Sequence, residues 1–289
     1  MNLNASRLSR PAVILAVLCM STSAIFIRLA TAPSVVLALY RMAISALLML
    51  PVVLMRRDNV RLAELSVSER ICCPLAGVAF GMHFLCYFAA VNHTAIATAV
   101  MLSCTEVFYV AIFAFVFFHE RISPKGWIGI GVTFAGCVLL ALAQGMQGGD
   151  AQGILYGVAA SVFAGAFTLL GRRCRAKISN SQFTFVVFIA GSVMLLAGCL
   201  LGGFRLTGYG LINVFCALGM AVCCTLLGHS LLTWALRYQP ASFISSMKMT
   251  SPVLSALLGW VLMGEAPKPT VLAACAVIIG GILYYYRQE

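Results

Sequence analysis

The feature that most constrains this chain is an internal repeat: the sequence is two copies of one apolar unit, offset by about 145 residues. At that offset Thr105 falls on Thr250, Ala111 on Ala256, Glu120 on Glu265, Pro124 on Pro269, Val132 on Val277 and Gly136 on Gly281. Ala90–Leu140 and Ala235–Tyr285 share one rhythm: a short polar turn, an apolar span, an acidic break with proline, and another apolar span. Each copy reads as five spans. An odd number sends the second copy into the bilayer the opposite way round. Inverted repeats of this kind build many secondary transporters, with the substrate held between the halves near the midplane.

Composition supports a membrane setting. The chain is 62% hydrophobic and 9% charged, whereas soluble domains are about 25% charged. A helical span needs about 20 apolar residues. Ten stretches qualify: 11–30, 34–55, 70–91, 94–118, 126–143, 153–171, 181–203, 210–236, 241–263 and 269–286. Little chain is left for a soluble catalytic domain. Barrel strands would be about 10 residues long with alternating polarity, unlike these continuous runs. The expectation is an all-α integral membrane protein of ten transmembrane helices. Residues 1–145 form the first five-helix repeat, 146–152 an extracytoplasmic linker and 153–289 the second repeat. The boundary stretch Gln144–Gln152 is glycine-rich and carries no Lys or Arg.

The net charge of +11 is an orientation signal rather than a nucleic-acid signal. With the N-terminus inside, fourteen of the nineteen basic residues fall on cytoplasmic ends and loops, among them Arg56, Arg57, Arg121, Arg172, Arg173, Arg175 and Arg237. This is the positive-inside pattern. It predicts cytoplasmic N- and C-termini in a plasma membrane of the bacterial inner-membrane type, and contact with anionic headgroups. Arg7 and Arg10, an apolar run and Ser21–Ala24 mimic a secretory signal. The run continues past Ala24, so it reads as an uncleaved first helix. Twelve cysteines occur without metal-ligand spacing. They read as small hydrophobes with free thiols, and neither a metal nor a cofactor is expected. No P-loop motif is present. Glycines at 126, 129, 131 and 136 in span five and 280 and 281 in span ten suit close helix packing in lipid, either for a scaffold or for a homodimer face.

Several stretches together resemble the drug/metabolite transporter superfamily in its EamA-type ten-helix form. They are Ser21–Arg28 (STSAIFIR), Ala38–Arg41 (ALYR), Gly81–Phe84 (GMHF) ahead of the Val91–Thr94 turn, Glu120 and Glu265 at span ends, Gly228–Trp234 (GHSLLTW) and Thr250–Pro252 (TSP). The resemblance covers nearly the whole chain. It implies inverted five-helix repeats, a cavity lined by helices one to four and six to nine, a scaffold of helices five and ten, and export or exchange of metabolites or drugs without ATP. Family members often carry a proline in span four at the position matching Pro252. Here that position is Val107, preceded by Glu106, so the proline behind the family's kink is absent and an ionisable group stands in its place.

Charge at bilayer depth is costly and marks function. Glu106 lies mid-span in span four. Arg41 lies about 10 Å from the outer end of span two at 1.5 Å per residue, and Lys248 a similar distance from the inner end of span nine. Glu106 suits a substrate amine or a coupling proton. Its structural alternatives are a fixed ion pair with Arg41 or Lys248, or a bond to Ser103 or Thr105. Arg41 suits a two-pronged carboxylate contact or a helix-to-helix tie. Lys248 suits an anion or snorkelling. Tyr109 shares a helix face with Glu106. With Tyr87, Ser103 and Trp234 it completes the candidate binding set. His83 and His229 join Glu106 as candidates for carrying a proton, although interhelical hydrogen bonding is the commoner role for such histidines.

The favoured reading is a non-enzymatic secondary transporter of a small metabolite, an amino acid or similar zwitterion, since a carboxylate and two cations suit a substrate with both groups. Proton-coupled export of cationic drugs and exchange of organic anions or phosphates are the alternatives. A membrane enzyme would need a His and Asp cluster, and none is seen.

Overall fold

A computed structural model describes residues 3–56, 64, 66–93, 99, 102–143, 151–263 and 268–288. All regular structure among them is helical: α1 (Leu3–Ser21), α2 (Ser23–Leu29), α3 (Ser34–Met55), α4 (Val67–His93), α5 (Glu106–Phe118), α6 (Pro124–Ala143), α7 (Ala151–Cys174), α8 (Asn180–Leu201), α9 (Leu211–Gly219), a π-helix (Met220–His229), α10 (Ser230–Ala235), α11 (Ala241–Lys248), α12 (Ser251–Met263) and α13 (Pro269–Gln288). With no water to satisfy backbone groups in a bilayer, continuous helices are the spanning solution open to such apolar runs.

Eight helical stretches among the described residues are long and apolar enough to span: Leu8–Ile27, Ser34–Met55, Val67–Ala90, Pro124–Ala143, Ala151–Cys174, Asn180–Leu201, Leu211–Ala235 and Pro269–Gln288. The shorter apolar helix Leu102–Phe118 falls at the predicted fourth span. The predicted ninth span is divided into α11 and α12. The Gln144–Asp150 part of the linker and Glu265 lie outside the described residues.

Chain contacts separate two compact units that do not coincide with the sequence halves. The first comprises Met1–Leu85 with Ala166–Gln239, and the second Cys86–Gly165 with Pro240–Glu289.

In the first unit α3 packs along α8, and α1 against the π-helix and α10. Glycine permits the closest approaches: a Cβ on Gly77 would sit 2.7 Å from the Val187 carbonyl oxygen. The connection from α2 to α3 is irregular backbone, and buried Asn213 satisfies it. Its Oδ1 accepts the N–H groups of Thr31 and Ala32 at 2.8 Å each, and its Nδ2 donates to Thr31 Oγ1 at 3.0 Å. Arg175, 2% exposed, donates from Nε to the Thr233 carbonyl at 3.0 Å and also to the Ile178 carbonyl. Arg172 donates to the Leu236 carbonyl at 2.5 Å. These arginines satisfy acceptors that a helix end leaves open.

The second unit is organised around α6 and α13, which run along one another. A Cβ on Gly129 would fall 2.8 Å from Tyr285 N, and one on Gly281 would fall 2.5 Å from Thr133 Oγ1. The predicted close packing of spans five and ten therefore rests on Gly129, Gly136 and Gly281. Gly131 and Gly280 have nothing within 4 Å and face away from this contact. Helix α5 ends at His119, which adopts a left-handed conformation with φ of 55°. Next to it, Glu120 Oε2 accepts the Ala241 N–H at 2.9 Å and so caps the start of α11.

Candidate functional site

Three predicted spans are broken in the same way, each at a threonine. Thr22 separates α1 from α2, Thr105 separates Leu102–Cys104 from α5, and Thr250 lies between α11 and α12. In each case the threonine Oγ1 donates to the carbonyl three residues earlier: Thr22 to Cys19 at 2.7 Å, Thr105 to Leu102 at 2.6 Å and Thr250 to Met247 at 2.7 Å. The threonine N–H bonds the same carbonyl, and the threonine carbonyl accepts the N–H three residues later. Side-chain bonding back to the helix tightens and bends it. Thr105 and Thr250 are repeat mates, so the two copies share this joint. The break in span four thus forms without a proline. The threonine performs it, while Pro252 occupies the first turn of α12, where its missing N–H costs little.

The joints in the second unit carry charge. Lys248 is the last residue of α11 and Glu106 the first of α5. Lys248 Nζ donates to Glu106 Oε1. A cation at a helix C-terminus and an anion at a helix N-terminus each complement the helix dipole, so the breaks help stabilise the pair they hold. Glu106 is 6% exposed. Ser103 and Thr105, the alternative partners for its carboxylate, are placed otherwise. Ser103 Oγ is buried with no hydrogen-bond partner, and Thr105 Oγ1 lies 2.9 Å from Ser161 Oγ besides its bond to Leu102. Tyr109 packs its Cβ 3.6 Å from the Cβ position of Gly165, on the stretch of α5 that Glu106 opens. Tyr87 neighbours Phe88, their rings 5.7 Å apart.

Arg41 belongs to the first unit and is 4% exposed. Its Nε donates to Thr225 Oγ1 at 2.7 Å, its Nη1 lies 3.5 Å from Ser23 Oγ, and its guanidinium sits 4.7 Å from the centre of the Phe84 ring. Thr225 lies in the π-helix and donates to the Met220 carbonyl five residues back at 3.2 Å. Helical segments of this wider type are frequently found at functional sites. His229 ends the π-helix inside an aromatic cluster, 4.7 Å from Phe80 and 6.3 Å from both Phe84 and Phe167, and His83 stacks on Phe80 at 6.4 Å. Trp234 is removed from Arg41's contacts and meets Tyr238 at 5.0 Å.

The candidates therefore divide. Glu106, Lys248, Tyr109, Tyr87 and Ser103 belong to the second unit, and Arg41, His83, His229 and Trp234 to the first. Sequence reasoning missed Thr225 and Ser23 as Arg41 partners and the threonines as joints. Ser23 lies in the STSAIFIR stretch, but nothing local marks Thr225, which is 184 residues from Arg41. All twelve cysteines are free thiols. Among the described residues no three His, Cys, Asp or Glu side chains converge on a metal-sized site.

The EamA-like transporter family profile matches residues 11–142 and again 151–287. The chain is 25% identical over 291 residues to the pseudopaline exporter CntI of Pseudomonas aeruginosa, covering 98% of each. It is 25% identical to the riboflavin transporter of Brucella anthropi, over 89% of each chain. It is also 25% identical to the threonine/homoserine exporter RhtA of Escherichia coli, over 73% of this chain and 70% of that one. A solved crystal structure, 19% identical, superposes with a TM-score of 0.81 over 96% of each chain and shares the fold. The chain belongs to the EamA-like transporter family, within the drug/metabolite transporter superfamily, and is a multi-pass membrane protein of that two-repeat fold.

Proposed function

We propose that this protein is a secondary exporter or exchanger of a small organic metabolite, an amino acid or amino-acid-like solute, working by alternating access. The observation that carries this reading is the set of threonine joints, two of which place an ionisable side chain at the end of a half-helix. Discontinuous helices with such ends form the substrate and coupling-ion sites of many secondary transporters. A continuous helix would suffice for a scaffold, and a closed ion pair at a broken helix is not needed to hold one.

In this reading Arg41 takes the substrate carboxylate, and Tyr109, Tyr87 and Ser103 bound the region of Glu106. Glu106 exchanges Lys248 for a proton, which links transport to the proton gradient. His83 and His229 hold the aromatic cluster beside Arg41. The relatives that export pseudopaline and threonine or homoserine support an outward direction. The two inverted repeats, residues 1–145 and 153–289, supply the internal symmetry that alternating access uses. Both termini lie in the cytoplasm of a bacterial-type cell.

The test is efflux of labelled threonine, glutamate and succinate from proteoliposomes, with and without a pH gradient. Protein-dependent efflux that rises with the gradient, and loses that response in Glu106→Gln, is the expected result. Flux equal to that of empty liposomes for every solute would refute transport. Gradient-dependent flux that persists unchanged in Glu106→Gln would remove Glu106 from coupling.

A further inference from the structure

We infer that span eight is a helix of two registers, and that the bond from Arg41 to Thr225 is the catch that holds it in the wider one. Under the transporter reading, on which this depends, Arg41 takes the substrate carboxylate, and that engagement releases the catch.

Every contact involved lies within the first unit. Leu211–Ala235 is one continuous helical span, but its middle, Met220–His229, is wound as a π-helix. Such windings are rare and mostly single turns, whereas this one runs for 10 residues. It packs closely on α1 and α2. A Cβ on Gly219, just before it, would sit 2.5 Å from the Phe26 ring, and one on Gly228, in its last turn, 2.5 Å from Met20 Cγ. Ser23 Oγ lies 3.9 Å from Met220 Sδ, and Thr22 Oγ1 lies 3.3 Å from Cys224 Sγ. A change of register in this segment is therefore felt at the Thr22 joint between α1 and α2.

Thr225 is where the register is decided. On other helices the hydroxyls of Ser45, Thr133 and Thr184 bond the carbonyl four residues back, the ordinary α-helical pattern. The Thr225 hydroxyl reaches five back, to the Met220 carbonyl at 3.2 Å, and the Ser230 N–H reaches five back to the Thr225 carbonyl. With its hydrogen directed there, the hydroxyl keeps a lone pair for Arg41 Nε at 2.7 Å. A hydrogen bond from a charged donor is roughly twice as strong as one between neutral groups. The Arg41 bond thus favours the register that puts the hydroxyl in its path. Withdrawing the guanidinium removes that preference, and the segment winds to the commoner pattern of bonds four residues apart. Each residue then turns further about the helix axis, so Cys224 leaves Thr22. One arginine contact links the proposed substrate group to the winding of span eight and, through Cys224, to the joint at Thr22.

The experiment reads the native thiols of the segment in full-length protein reconstituted in proteoliposomes. Labelling by N-ethylmaleimide is resolved by residue with mass spectrometry in wild type, Thr225→Val and Thr225→Ser. Cys224 is 0% exposed, and Cys223 beside it is half-buried. Labelling of Cys224 relative to Cys223 rises about tenfold in Thr225→Val, the population change for losing one hydrogen bond to a charged group. It stays at the wild-type value in Thr225→Ser, which keeps the hydroxyl. Cys73, Cys174 and Cys199, buried elsewhere in the same unit, remain unlabelled, which separates a change of register from unfolding. With saturating threonine, glutamate or succinate, each solute that the protein transports raises the wild-type ratio and leaves that of Thr225→Val unchanged.

A valine variant that labels like wild type overturns the inference, as does a serine variant that labels like valine. So does a transported solute that leaves the wild-type ratio where it was. If labelling of the three reference thiols shows that Thr225→Val has unfolded, Thr225→Ala takes its place. If none of the three solutes is transported, the transporter reading falls, while the catch is still decided by the Thr225 variants.

Discussion

Lys248 donates to Glu106 across 142 residues of chain, joining the C-terminal end of one half-helix to the N-terminal end of another. The two residues come from opposite copies of the repeat, yet they belong to one compact unit. Their side chains are 18% and 8% exposed, so removing one breaks the ion pair of a charge that stays largely out of water. Glu106→Gln and Lys248→Met are each expected to lower stability by about 3–5 kcal/mol, the cost of breaking a buried pair. The double variant recovers most of that loss. A thermal-denaturation double-mutant cycle checks this, and purely additive losses would show that the pair does not couple.

The joints at Thr105 and Thr250 depend on a hydroxyl. Valine keeps the shape but loses the bond to the carbonyl three residues back, worth about 1 kcal/mol. Thr105→Val and Thr250→Val are therefore expected to cost about that much each and to slow transport, while the serine variants keep both properties. Efflux rates that are the same for valine and serine would show that the hydroxyl does not set the joint.

The glycines of spans five and ten divide by position. An alanine at Gly281 would bring its Cβ 2.6 Å from Thr133 N, against backbone that cannot easily yield. Gly281→Ala is expected to cost about 1–3 kcal/mol by overpacking. Gly280→Ala, with nothing within 4 Å, is expected to be neutral or to gain up to about 1 kcal/mol from helix propensity. Comparing the melting temperatures of these adjacent substitutions tests the packing of α6 on α13, and equal effects would contradict it.

Asn213 holds the Thr31–Ala32 connection through two amide donors on one oxygen. Asn213→Leu leaves both N–H groups without that acceptor in a buried setting. Such a loss costs about 1–3 kcal/mol for each group left unsatisfied. Increased hydrogen exchange at Thr31 and Ala32, with a lowered melting temperature, is the expected signature. Unchanged protection at both amides would mean that the clamp is not what orders the connection.

Much of the fold was legible because its cause is one-dimensional. Apolar runs of spanning length, their repetition at one offset and the glycines of spans five and ten report on the bilayer and on helix packing, which act along the chain. The resemblance carried by STSAIFIR, ALYR and GHSLLTW agrees with the family to which the chain belongs. The ionisable residues at depth also stood out, because the cost of burying charge makes them rare. Two features were not legible: span nine is two short helices rather than one, and span four breaks although it lacks the proline. Both follow from threonine hydroxyls competing for helix carbonyls, and threonine occurs in too many intact helices for composition to reveal that competition.

The sequence by itself determined that the chain is a two-repeat helical membrane protein and which few residues carry charge at depth, since length, hydropathy and repetition are properties of the chain alone. Only the tertiary structure decided how those charges are satisfied. Within one unit Lys248 neutralises Glu106, and within the other Arg41 rests on Thr225, Ser23 and Phe84. Pairing at these distances depends on which helix ends are brought within a few ångströms, and residues separated by 142 or 184 positions leave no local trace of such a meeting.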